Sequence, residues 1–252
     1  MIEVKQLSVG YGGTPILRDV NLSIHEGQVL AVTGPNGSGK STLLKALAGL
    51  LPATGGDILI DGQPISVFSP RQLARTVAYL PQSRNVPEIT ALQLVLHGRF
   101  PYLSYPRRYR PCDQEIARTA LARMGIADLA ERPLASLSGG QRQKVYIAMA
   151  LAQDTPVVLL GEPTTFLDVA HQLQLMDQAR LLADAGKAVV LVLHDLILTL
   201  EHADRLAILH QGRIAARGDS ETVFQSGCLQ EVFGISIERF CSEDGPHYYY
   251  RR

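Results

Sequence analysis

The residues with the clearest chemistry form one unbroken string, Gly34-Pro35-Asn36-Gly37-Ser38-Gly39-Lys40-Ser41. Glycines let a backbone wrap tightly around an anion and turn its N–H groups inward. Lys40 is a compact cation of the kind that reaches the β- and γ-phosphates of a nucleotide. The Ser41 hydroxyl is a hard oxygen donor suited to Mg2+, and Thr42 follows in the same turn. The string fills every position of the Walker A pattern. A short apolar run at 29–33 leads into it, and apolar residues at helical spacing over 40–50 lead out. A helix starting there adds the partial positive charge of its N-terminus. These residues predict a site for ATP with Mg2+. Kinases, GTPases and many motors carry the same loop, so the loop alone names no activity.

Such a loop must be held by a sheet. Residues 2–9, 20–24 and 57–60 read as strands, with turns at 10–15 and at Asp61-Gly62. The middle of the chain differs, with helical patterns at 90–98, 112–124 and 139–153. The apolar runs 157–160 and 189–193 suit strands buried on both faces, and a helix at 169–185 separates them. That alternation predicts an α/β fold with a mostly parallel sheet. Residues 205–218 read as a hairpin turning at Gln211-Gly212, followed by a short helix. The tail from 241, with Tyr248, Tyr249 and Tyr250, is expected to be disordered.

The chain has 252 residues, with 24 Lys and Arg balancing 24 Asp and Glu. That length suits one large domain with a substantial core. The charge balance gives no reason to expect a nucleic-acid partner. No apolar run approaches the roughly 20 residues that span a bilayer, and the start at Met1 lacks a signal-peptide pattern. The expectation is a cytosolic chain that reaches a membrane only through a partner. Cys112, Cys228 and Cys241 are scattered and lack ligand spacing, so neither a disulfide framework nor a zinc site is expected.

A second string, Leu137-Ser138-Gly139-Gly140-Gln141, read alone is a helix N-cap with Ser138 as the cap. Together with the loop at 34–41 it resembles the signature of ABC ATPases, and the resemblance runs over about residues 2–240. It implies a P-loop, RecA-like core at about 1–85 and 146–240, an N-terminal antiparallel β part, and an inserted helical subdomain at about 86–145. It implies that Ser138, Gly139, Gly140 and Gln141 close on nucleotide bound by a second copy. Tyr11 then stands where an aromatic ring stacks on adenine. Gln82 stands at the Q-loop position, touching Mg2+ or the attacking water. Glu162 matches the general base, Asp168 the D-loop aspartate that orders the dimer interface, and His194 the switch histidine at the γ-phosphate. Further strings narrow the class: Gly98-Arg99-Phe100-Pro101-Tyr102-Leu103, Glu162-Pro163-Thr164-Thr165-Phe166-Leu167-Asp168, Ala170-His171-Gln172 and His194-Asp195-Leu196. These look like the ATPases of iron(III)-siderophore, haem and vitamin B12 importers. The other reading of Arg99, Arg107, Arg108 and Arg110 is a solvated basic loop. The class implies a homodimer beneath two permease subunits at the cytoplasmic face of the inner membrane, fed by an extracytoplasmic binding protein.

One position departs from the family. Its Walker B motif ends in Asp-Glu, and here the run ends Leu160-Gly161-Glu162. Glycine has no side-chain oxygen to hold Mg2+ or its waters. Two readings stand: a working subunit that tolerates the loss, or a weakened ATPase that binds ATP and hydrolyses it slowly. Rivals from other classes are a different transport class, a non-transport ABC ATPase acting on ribosomes or DNA, and a regulatory ATP binder.

Overall fold

A computed structural model describes residues 1–81, 86–164, 167–242 and 245–251. Its central element is a six-stranded sheet. Strands β3 (Val29–Thr33), β6 (Val77–Leu80), β7 (Val157–Leu160), β8 (Ala188–Val192) and β9 (Arg205–His210) run parallel. Strand β10 (Arg213–Gly218) closes one edge antiparallel to β9, giving the order β10-β9-β3-β8-β7-β6. Every residue of β3, β7 and β8 is buried, as a parallel sheet covered on both faces requires.

Alternate residues of these strands enter two different cores. Val29, Ala31, Val158, Leu160, Val189 and Leu191 face one side. There α3 (Ala91–His97), α4 (Pro111–Arg123), α5 (Gly139–Gln153) and α6 (Val169–Asp184) cover the sheet. Leu30, Val32, Val157, Leu159, Val190 and Val192 face the other side. That side is covered by α1 (Lys40–Leu47) and a four-stranded antiparallel sheet of β1 (Ile2–Tyr11), β2 (Thr14–Ile24), β4 (Gly55–Ile60) and β5 (Gln63–Pro64). The period-2 alternation of one strand thus cements two layers at once.

Several boundaries differ from the sequence expectation. The turn at 10–15 shrinks to Gly12-Gly13, and β2 starts at Thr14 because β1 pairs with it from Tyr11 onward. The helix expected over 40–50 ends at Leu47. The helix α2 (Pro70–Thr76) and β6 were not expected; Ser69 caps α2 in a reciprocal box with Gln72, and Pro70 sits in its first turn.

The described residues of the tail form a hairpin, against expectation. After α7 (Leu196–His202), α8 (Ser220–Gln225) and α9 (Cys228–Phe233), β11 (Ser236–Ser242) pairs antiparallel with β12 (Gly245–Arg251). Tyr248 is the reason: its ring is buried in a third core with Leu196, Leu200, Leu206, Ile208, Val223, Cys228 and Leu229.

Arg99 corrects the solvated-loop reading. It is buried, donates from Nε to Asp113 Oδ1 at 3.2 Å, and donates from a guanidinium N–H to the Ala152 carbonyl at 2.9 Å. Arg110 donates from Nε to Asp113 Oδ2 at 3.1 Å. Burial pushes the Asp113 carboxyl up, but the hydrogen bonds from Arg110 and Arg99 outweigh it and hold the group below its ordinary value. One carboxylate thus ties α4 and the end of α3 to α5. Asp113→Asn leaves Arg99 buried and uncompensated, and stability falls by about 3 kcal/mol, read from the urea midpoint. A depressed carboxyl stabilises above its unfolded pKa and loses that contribution as pH falls through its folded pKa. The wild-type midpoint therefore drops on acidification below the carboxylate range more steeply than that of the variant.

Candidate functional site

Strand β3 feeds the glycine loop and α1 leaves it. Close packing leaves no room for side chains at two glycines. A Cβ on Gly34 would lie 2.0 Å from the Leu209 carbonyl oxygen. Gly39 sits at φ 107°, and its Cβ would lie 2.7 Å from Leu17 Cδ2. The loop is therefore clamped between β2 and β9, and the Gly212 N–H donates to the Ser38 carbonyl at 3.2 Å. Lys40 folds back over the loop: Nζ donates to the Gly34 carbonyl at 2.7 Å and to the Pro35 carbonyl at 3.0 Å. Burial lowers the pKa of this ammonium, and the Glu162 carboxylate works against that shift. Asn36, Gly37 and Ser41 are exposed, Pro35 is half-buried, and Thr42 is buried. The Ser38 hydroxyl is buried without a hydrogen-bond partner among the described residues. A cation, an orphaned hydroxyl and an exposed hydroxyl at a helix head make a cradle for an anion.

Glu162 and His194 join Lys40 because β3, β8 and β7 are neighbours and end at one level. The Gly161 N–H donates to the Leu80 carbonyl at 2.7 Å, carrying the β6–β7 pairing one residue further. Glu162 follows at φ 48°, a conformation that side-chain-bearing residues seldom adopt. Its side chain is buried, and Oε1 lies 2.9 Å from Nε2 of His194. A carboxylate only accepts, so Nε2 carries the hydrogen. Strained backbone beside a buried acid and an imidazole is an arrangement found at reactive sites.

The signature string does cap a helix. The Gln141 N–H donates to Ser138 Oγ at 3.2 Å, and the Ser138 N–H donates to Gln141 Oε1 at 3.0 Å. Ser138 stays exposed, and Gly139 and Gly140 stay half-exposed. They line an open cleft of about 710 Å3 with Lys144, Asp168 and His171. Asp168 caps α6, accepting from the His171 N–H at 2.9 Å, with His171 Nδ1 2.7 Å from the same oxygen. The His171 backbone N–H, then its ring, hold the Asp168 carboxyl below its usual value. None of the glycine-loop residues lines this cleft. Tyr11 ends β1 exposed, with Lys45 Nζ of α1 5.9 Å from its ring centre. Gln82 lies outside the described residues.

Two features escaped the sequence reading. Gln143, buried in α5, donates from Nε2 to the Pro163 carbonyl at 2.8 Å. It ties the signature helix to the segment that carries Glu162; a polar residue among the apolar core positions of α5 is its only mark in the sequence. The second is a mainly apolar groove of about 700 Å3 between the end of α1, β4, α2 and β6, lined by Leu50, Leu51, Phe68, Leu73 and Tyr79.

Comparison with known proteins gives this geometry a family. Residues 17–165 match the ABC transporter family. The chain is 44% identical over 239 residues to the petrobactin import ATP-binding protein of Bacillus anthracis, spanning 94% of this chain and 88% of that one. It is 44% identical over 235 residues to the hemin import ATP-binding protein of Streptomyces coelicolor, spanning 93% and 83%. A chain of a transporter assigned to the metal-chelate type, in an inward-facing conformation, matches with TM-score 0.85 and 27% identity over 99% of this chain and 96% of that one. A dimeric cassette in a post-hydrolysis state with ADP and phosphate matches with TM-score 0.77 and 28% identity over 87% and 99%. With a phosphate loop, a signature helix and relatives along nearly its whole length, this chain belongs to the ABC transporter family as an ATP-hydrolysing subunit.

Proposed function

We propose that this chain drives uptake of an iron(III)-siderophore or related metal chelate, as a head-to-tail homodimer beneath two permease subunits. The convergence of Lys40, Glu162 and His194 at one end of the parallel sheet carries the catalytic part of this reading. The separation of the signature cleft from the glycine loop supports the dimer, because each copy then holds half of two sites. The dimeric relative with ADP and phosphate supports it too. The chelate class rests on the petrobactin and hemin import relatives.

In this reading Tyr11 stacks on adenine, and Gly34, Pro35, Asn36, Gly37, Ser38, Gly39, Ser41 and Thr42 wrap the phosphates. Lys40 exchanges two neutral carbonyl acceptors for charged phosphate oxygens, which form the stronger hydrogen bonds. Ser138, Gly139, Gly140 and Gln141 of the second copy close over the γ-phosphate, and Asp168 orders the junction. Glu162 accepts the proton of the attacking water, and His194 holds that carboxylate and reaches the γ-phosphate. The exposed Ser41 hydroxyl at the head of α1 is a hard oxygen donor that fits Mg2+; Ser41, with Gln82 as the family resemblance implies, would hold the ion, which would neutralise phosphate charge. Gly161 adds no side-chain oxygen, so hydrolysis is slow, while the intact glycine loop keeps ATP binding. The apolar groove beside Tyr79 receives a permease helix, which holds the chain at the cytoplasmic face of the inner membrane. An extracytoplasmic binding protein delivers the chelate.

Glu162→Gln is expected to lower turnover at least about 100-fold while the ATP Kd stays within twofold, measured by phosphate release and by titration with a fluorescent nucleotide. Unchanged turnover would remove Glu162 as the base. Gly161→Asp is expected to raise turnover about 10–100-fold, the scale of a restored metal-supporting group; an unchanged rate contradicts the slow-hydrolysis account. The transport reading is tested by co-purification with the neighbouring permease and by chelate-stimulated ATPase in vesicles. No stimulation by any chelate-loaded binding protein overturns it.

A further inference from the structure

The hairpin β11–β12 lies outside the nucleotide machinery, yet β12 packs along α7, and α7 begins directly after His194-Asp195. Tyr248 of β12 is buried against Leu196 and Leu200 of α7 and meets Phe224 edge-on, with ring centres 5.4 Å apart. The Tyr248 N–H donates to Glu201 Oε1 at 3.3 Å, and His247 Nδ1 lies 3.6 Å from the same oxygen. Further along β12, the Tyr250 phenol is pushed up by burial first and then by the Asp195 carboxylate beside it. At the other end of α7, Asp195 Oδ1 accepts from the Ile197 N–H at 2.9 Å and the Leu198 N–H at 3.1 Å.

A helix of seven residues does not hold itself in water; its neighbours set its position. Leu198 of α7 enters the core against the main sheet, while Leu196 and Leu200 pack with β9, β12 and the helices α8 and α9. His194 is the residue before the Asp195 cap, and its Nε2 stands 2.9 Å from Glu162. A shift of α7 is therefore a shift of His194 relative to Glu162.

We infer that β12 is a positioning strap: Tyr248 and Glu201 fix α7, and α7 sets the contact of His194 with Glu162. Tyr248 and Glu201 are positioning residues, since neither touches the reacting groups. The inference rests on the proposed role of His194 in hydrolysis.

A double-mutant cycle on the full chain tests it, with single-turnover ATP hydrolysis and ATP Kd measured for wild type, Tyr248→Ala, His194→Ala and the double variant. A strap predicts that Tyr248→Ala slows hydrolysis about 10-fold or more, as small misplacements of reacting groups do, with the ATP Kd unchanged. It predicts no further loss when Tyr248→Ala is added to His194→Ala, because the two changes share one route. Tyr248→Phe, which keeps the ring, restores the wild-type rate. An equal loss in both backgrounds, an unchanged rate, or a parallel rise in Kd would overturn the strap. If Tyr248→Ala fails to fold, Glu201→Gln, which keeps the volume and weakens the acceptor, enters the same cycle with the same opposed outcomes. A wild-type rate in His194→Ala alone is a different failure: it removes the role of His194 and the strap with it.

Discussion

Three parallel strands lying side by side decide where this protein can do chemistry. Strands β3, β8 and β7 pair in register, Val32 opposite Val192 and Leu160 opposite Leu191, so their C-terminal ends lie level. Each then releases one functional group: Lys40 through the glycine loop, His194, and Glu162. Every side chain of these strands is buried on one face or the other. Sliding one strand would open voids in two cores together, and close-packed interiors resist that strongly. The geometry of the site is thus set largely by the packing of apolar side chains on both faces of these strands.

Electrostatics is then arranged on that rigid edge. Lys40 is buried and turned onto two carbonyls of its own loop, within the field of Glu162. Glu162 holds a positive φ and meets His194. An acid, an imidazole and an ammonium side by side stay compact only while the surrounding backbone fixes them. Gln143 and α7 supply part of that fixing, from the signature helix and from the C-terminal side. The same Gln143 bond physically links the two half-sites that one copy contributes to two composite sites, since α5 begins at Gly139 and Pro163 follows Glu162.

Much of this was legible in the sequence, for identifiable reasons. The glycine loop and the string at 137–141 are local devices whose backbone demands are written in consecutive residues. The helix over 139–153 was legible because Ser138 and Gln141 make a capping box. The doubly buried strands were legible as apolar runs. What escaped depends on partners distant in sequence. Thr14–Asp19 extends β2 only because β1 pairs with it. Strand β6 has four residues, too few for a period to declare itself. Arg99 looked like one of several surface arginines, and only Asp113 and the Ala152 carbonyl make it a core residue. The tail shows no alternation of its own; Tyr248 orders it by entering a core built from α7, α8, α9 and β9.

The central claim is that the ATP site is completed by a second copy, and the oligomeric state of Glu162→Gln with ATP tests it most directly. Sedimentation of this hydrolysis-slowed variant should give monomer without nucleotide and dimer with ATP. Adding Ser138→Arg, which fills the signature cleft, should keep the protein monomeric while each copy still binds ATP. A protein that stays monomeric when saturated with ATP, or that dimerises equally well without it, would contradict the account.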